Sequence, residues 1–234
     1  MVFANRRIAG QALAKLLAEE SGIEDALVLG LPRGGVPVAY EIASACSLQL
    51  DILVVRKLGA PRAQELAMGA IASTGDVVWN TDVLAYLHVS RQEMHQVLER
   101  ERAELKRKEN IFREGQPPLP LAGRISILVD DGLATGATMR VAIQAVRTQT
   151  KSVIVAVPVG ARTACDELES KDVRVHCLVK TDSFGAVGEF YQDFSQTTDD
   201  EVRHLLTKAR EEYRLRYARK ETGPYAAQSR KSSN

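Results

Sequence analysis

The chain has 234 residues, with 31 Lys plus Arg against 30 Asp plus Glu, a formal net charge of +1 and 45% hydrophobic residues. That size and composition suit a soluble protein with its own core. Near-neutrality argues against a general nucleic-acid or anionic-membrane binder, because neither charge excess is present.

The N-terminal stretch MVFANRRIAGQALAKLLAEE lacks the unbroken apolar segment of a signal peptide. No apolar run approaches the roughly 18 residues that span a bilayer. Cys46, Cys165 and Cys177 are scattered and odd in number, which speaks against a disulfide framework or zinc site and for a reducing, cytoplasmic setting. The four histidines show no ligand spacing, and none is given a metal role.

Short apolar runs then alternate with helical patterns. Residues 26–30, 51–55, 125–130, 153–159 and 173–179 read as strands, several apolar nearly throughout, as when both sheet faces are covered. Helical patterns occupy 36–46, 137–147 and 163–169. The alternation implies βαβ units and an α/β fold with a mostly parallel twisted sheet flanked by helices, whose ligands bind at the carboxyl ends of the strands.

Two segments depart from this pattern. Residues 91–114 read as a long helix with seven Lys or Arg and six Asp or Glu, and a narrow apolar stripe of Met94, Leu98, Leu105 and Phe112. Residues 115–118, Gly-Gln-Pro-Pro, end it. Thr198 and Glu201 have capping-box spacing, so a helix is expected from there to about Arg219. Residues 223–234 read as a polar tail, leaving one domain over 1–222.

The segment 127–138, ILVDDGLATGAT, carries the most information. An apolar strand ends in Asp130 and Asp131, and a short loop then opens a helix. Amides of Ala134, Thr135, Gly136, Ala137 and Thr138 can converge on a phosphate at the helix start, with the two threonine hydroxyls adding donors. The aspartates can accept hydrogen bonds from vicinal hydroxyls or help hold a hard cation such as Mg²⁺. Strand ending and helix capping are the blander reading of the aspartates. No GK[ST] follows and no GxGxxG is present, which excludes a Walker A loop and a dinucleotide fingerprint.

These residues resemble the phosphoribosyl-diphosphate (PRPP) motif of the type I phosphoribosyltransferases. The resemblance implies that Asp130 and Asp131 hold the ribose hydroxyls and that residues 134–138 cradle the 5′-phosphate. Residues 30–35, GLPRGG, resemble the family's pyrophosphate loop, with Gly34 and Gly35 opening the backbone and Arg33 supplying charge. Lys57, in RKLG after the next strand, is a second candidate diphosphate cation; its alternative is a solvated loop lysine. Resembling pieces cover most of residues 3–206 and are similar to a bacterial group of phosphoribosyltransferase-like proteins with no assigned acceptor.

The implied activity is PRPP-dependent pentosyl transfer, with Mg²⁺, to a planar nitrogen acceptor; a homodimer is expected from the general frequency of two-fold assemblies. Asp130, Asp131, Arg33 and Lys57 would be its catalytic residues. An acceptor hood would come from about 1–22 and 181–198, with Phe184, Val187 and Tyr191 as acceptor contacts or as plain hood core. The helix of about 90–115 would be an insertion, acting as a lid carrying Arg102, Lys106 and Arg107 or as a packing element. Ala134 stands where 6-oxopurine members carry an aspartate, which counts against a 6-oxopurine acceptor. A non-catalytic PRPP or nucleotide sensor is the alternative. A hydrolase finds no nucleophile–base pattern.

Overall fold

A computed structural model describes residues 2–222. Helix α1 (Arg6–Leu17) begins where Asn5 accepts a hydrogen bond from the Ile8 N–H, and it buries Ala9, Leu13, Ala14 and Leu17. β1 (Leu27–Gly30) leads into α2 (Gly35–Cys46), and β2 (Gln49–Ile52) returns parallel to β1. β3 (Val55–Ala60), β4 (Ala63–Ala72) and β5 (Val77–Trp79) then form a separate antiparallel sheet. After a short α3 (Thr81–Tyr86), the long α4 (Arg91–Arg113) starts at a Ser90–Glu93 capping box. β6 (Ile125–Val129), α5 (Ala137–Val146), β7 (Ser152–Ala161), α6 (Arg162–Leu168) and β8 (Val173–Thr181) continue the parallel alternation. A 3₁₀ turn at Val187–Phe190 precedes α7 (Asp199–Thr222).

The main sheet has the order β2-β1-β6-β7-β8 and is parallel throughout. Val28, Ile127 and Ile154 pack on one side with α1, α2, α4 and α7. Leu29, Leu128, Val155 and Val157 pack on the other with α5 and α6. Burial on both faces is the reason these strands read as continuous apolar runs. Each fully buried Leu or Ile contributes roughly 1.5–3 kcal/mol, so the sheet ends are fixed firmly enough to aim the loops that leave them. β1 and β6 are neighbours, Gly30 opposite Val129, while the chain runs outward from them in opposite directions. Their carboxyl ends therefore form a topological switch point.

One expectation about the strands needs correction. The strand expected at 51–55 is split: β2 ends at Ile52, and Val55 already belongs to the antiparallel sheet. That second sheet leaves no clear pattern in the sequence, because its strands are short or mixed in polarity. The 91–114 helix is present, and it packs on the core as the packing alternative expects. Val97, Leu105 and Phe112 enter the core, and the half-exposed Arg56 of β3 donates to the buried Glu101 at 2.9 Å. Residues 223–234 lie outside the described residues.

Candidate active site

The loops after β1 and β6 leave adjacent strand ends. The Leu31 N–H donates to the Val129 carbonyl at 2.8 Å, tying the 31–35 loop to the end of β6. A Cβ on Gly34 would lie 2.0 Å from Asp131 Oδ2, and one on Gly35 would lie 2.4 Å from the Val129 carbonyl oxygen. Only hydrogen at those positions lets the loop lie against the paired carboxylates. The Gly35 N–H donates to the Leu31 carbonyl at 3.0 Å. The loop's glycines thus fit the chain to Asp130 and Asp131, and the Gly35 amide is already engaged.

Asp130 and Asp131 differ in environment. Burial first, and the charge of Asp131 second, hold the Asp130 carboxyl well above the ordinary carboxylate range. The Asp131 N–H donates to Asp130 Oδ1 at 2.9 Å and opposes that shift in part. Asp131 receives Arg6 Nε on Oδ2 at 2.7 Å, with both side chains largely buried.

Arg6 belongs to the first turn of α1, and its Nη1 donates to the Ser195 carbonyl at 2.7 Å. Its guanidinium lies 3.9 Å from the Phe194 ring centroid. Tyr191 donates its hydroxyl to the Asp131 carbonyl at 2.6 Å and stacks on Phe194 with centroids 5.1 Å apart. Burial, followed by the negative charge of Asp131, pushes the Tyr191 phenol upward, which keeps it a hydrogen-bond donor.

Residues 3–6 and 190–195 thus form one edge, joined also by Phe3 N–H to the Phe190 carbonyl and Gln192 N–H to the Phe3 carbonyl, both 2.8 Å. Sequence reasoning missed Arg6 and Phe194. A basic residue in a helix's first turn, against the helix dipole, was the available signal for Arg6.

The 134–138 loop stands open beside this. Leu133 is anchored to β7 by two backbone hydrogen bonds, at 2.9 Å to Val159 and 2.8 Å to Ala161. Ala134, Thr135, Ala137 and Thr138 are exposed, while Gly136 is buried with φ +71°, a left-handed turn suited to glycine. The first helical bond of α5 runs from the Arg140 N–H to the Gly136 carbonyl at 2.8 Å, so the N–H groups ahead of it lack intrahelical acceptors. Arg140 reaches back to the Thr135 carbonyl at 2.7 Å and pairs with Glu167 at 2.9 Å, placing a cation beside the loop. The sequence reading passed over Arg140, although it lies one turn after Ala137.

Of the other expected residues, Arg33 is half-buried, and its Nη1 meets Asp199 at 3.3 Å. The Pro32–Arg33 peptide is cis. Lys57 lies within β3, because the chain after β2 turns directly into a hairpin in which Lys57 pairs with Ala70. Its half-exposed ammonium contacts the Glu65 carbonyl at 3.3 Å and the Glu65 carboxylate at 3.9 Å, so the expected loop position is corrected to a strand.

Phe184 stacks on Phe190 with centroids 5.2 Å apart, and both join Val187, Phe3 and the buried Tyr191 in one apolar cluster. Tyr191 presents its hydroxyl to the aspartate loop and its ring to this cluster. Arg102 and Arg107 of α4 pair with Glu99 and Glu104 of the same helix. Among the described residues no group of three or more His, Cys, Asp or Glu is placed to hold a metal ion. None of their helices is long and apolar enough to cross a membrane.

Comparison with known proteins places this geometry in context. A family profile described as the phosphoribosyl transferase domain matches residues 2–195. A Mycobacterium tuberculosis H37Rv protein, provisionally named a phosphoribosyl transferase, is 44% identical over 213 residues, covering 91% of this chain and 48% of the relative. The corresponding protein of strain CDC 1551 matches to the same extent. The chain therefore spans about half the length of the curated relatives it matches. The crystal structure of TT1426 from Thermus thermophilus superposes with a TM-score of 0.78 at 39% identity, covering 89% of this chain and 99% of that one.

Proposed function

Because the chain belongs to the phosphoribosyl transferase domain family, we propose that it transfers the 5-phosphoribosyl group of PRPP to a nitrogen acceptor, releasing pyrophosphate. The observation that carries this reading is the junction at the β1 and β6 ends. There the paired aspartates, a tightly fitted cation-bearing loop and an open helix start lie side by side.

In this reading Asp130 and Asp131 accept hydrogen bonds from the ribose hydroxyls. The amides at the start of α5, which lack intrahelical acceptors, hold the 5′-phosphate with Thr135 and Thr138, the phosphate replacing the 3.4 Å hydrogen bond from the Ala137 N–H to the Thr135 hydroxyl. Arg33 meets the diphosphate. Bond breaking at C1 gives the sugar oxocarbenium character and loads negative charge on the departing diphosphate. The protein's part is then to position and to stabilise charge, which needs no protein nucleophile.

Mg²⁺ is commonly held by one or two carboxylates together with substrate phosphates, and two carboxylates stand at this site. Bound there, it would offset charge on the diphosphate. Arg6 holds Asp131 in place through its hydrogen bond at 2.7 Å, acting through that carboxylate as a positioning residue.

The test is a panel of nucleobases and amines offered with PRPP and Mg²⁺, read as pyrophosphate release, alongside calorimetric PRPP binding. We expect at least one acceptor to release pyrophosphate, and the Asp130→Asn, Asp131→Asn double variant to fold yet lose PRPP binding. Unchanged binding by that variant sinks the site assignment. PRPP binding with no release across the panel would favour the sensor reading, to which Ala134 in the loop lends its support.

A further inference from the structure

Arg33 and Lys108 meet one carboxylate from two different elements. Arg33 comes from the 31–35 loop and Lys108 from α4, while Asp199 opens α7. Arg33 Nη1 lies 3.3 Å from Asp199 Oδ1, and Lys108 Nζ lies 3.8 Å from Asp199 Oδ2. All three side chains are partly exposed, at 27–33%. Ion pairs of this length and exposure are weak and easily exchanged. Two cations face one anion, so positive charge is left over.

Lys108 differs from Arg102 and Arg107 of the same helix. Arg102 and Arg107 are held by carboxylates of α4 itself. Lys108 turns toward α7, with its ammonium 5.7 Å from the Phe112 ring centroid. Arg33 is joined directly to Gly34, the residue that lies against Asp131. The ion group therefore includes a side chain of the same loop whose next residue lies against the paired aspartates.

We propose that Asp199 is a resident placeholder, and that an incoming diphosphate displaces its carboxylate and takes Arg33 and Lys108 together. Lys108 is then the second diphosphate cation, the role for which sequence reasoning named Lys57. A diphosphate offers more charge and more acceptor oxygens than one carboxylate, so charge-assisted hydrogen bonds favour the exchange. This inference rests on the PRPP reading above and adds a residue and an occupant to it.

The experiment measures binding of PRPP, pyrophosphate and ribose 5-phosphate to the full chain by calorimetry, with Mg²⁺, and melting of each variant. Lys108→Met should weaken PRPP and pyrophosphate about five- to tenfold and leave ribose 5-phosphate unchanged, while Lys108→Arg should retain binding. Asp199→Asn should tighten PRPP and pyrophosphate about two- to fivefold.

A merely structural ion pair predicts the reverse for Asp199→Asn, since loosening Arg33 would weaken binding. Weakening by both variants, or indifference to both, overturns the inference. Wild-type protein that binds PRPP while the variants are indifferent removes only this inference. Wild-type protein that fails to bind PRPP removes the function proposal as well.

Discussion

The loop at 130–138 and the hood over it are built in opposite ways. The loop takes its groups from consecutive residues and leaves Ala134, Thr135, Ala137 and Thr138 in solvent. The hood brings residues 3–6 against residues 184–195 and closes on an aromatic cluster of Phe3, Phe184, Phe190 and Tyr191. They meet at Asp131, whose carboxylate receives Arg6 and whose carbonyl receives Tyr191. The contrast separates two tasks. An open set of amides and hydroxyls can admit a phosphate, while a closed, largely buried clamp holds the carboxylate beside it in one orientation. A group that is both clamped and exposed at its edge costs stability unless its partner stays in place.

The strongest way to break this division is Gly34→Ala. Its Cβ would fall 2.0 Å from Asp131 Oδ2, which Arg6 prevents from swinging away. PRPP affinity should fall roughly a hundredfold in a calorimetric titration, and unchanged affinity would show that the fit of loop to carboxylate is not required.

Arg6→Met tests the clamp itself. Asp131 would be left largely buried without its cation, at a cost of about 1–3 kcal/mol. A chain of this size should then melt lower by ~2–4 °C per kcal/mol. A melting shift under about 1 °C would make hood and loop energetically independent.

The smallest effect concerns Asp130. Its native pKa is raised, so the folded state holds the proton more tightly than the unfolded chain. The associated stability is complete below the unfolded value near 3.8 and is lost as pH rises through the raised native value. Asp130→Asn should therefore melt about 2 °C higher at pH 7, with the gain fading toward pH 4. A variant less stable than wild type at pH 7 would mean that Asp130 gains more from its surroundings than burial takes away.

How far the sequence reaches depends on the range of the interactions. The parallel strands at 27–30, 125–129 and 152–161 were legible because sheet faces covered on both sides leave continuous apolar runs. The antiparallel sheet at 55–79 was not, because β3 carries Arg56 and Lys57 and β4 is exposed along part of its length. A local periodicity cannot tell such strands from loops. Docking of α4 through Glu101 on Arg56 placed a carboxylate where an apolar stripe alone had been sought.

By itself the sequence determined the α/β alternation, the family and the aspartate–threonine loop, because each is written in contiguous residues whose backbone and side chains act together. Only the tertiary structure decided which distant side chains those loops would meet. Arg6 is 125 positions from Asp131, and Asp199 is 166 positions from Arg33. Charges so far apart leave no mark on local pattern, and only the packing of α1, α4 and α7 against one side of the sheet brings them to the strand ends.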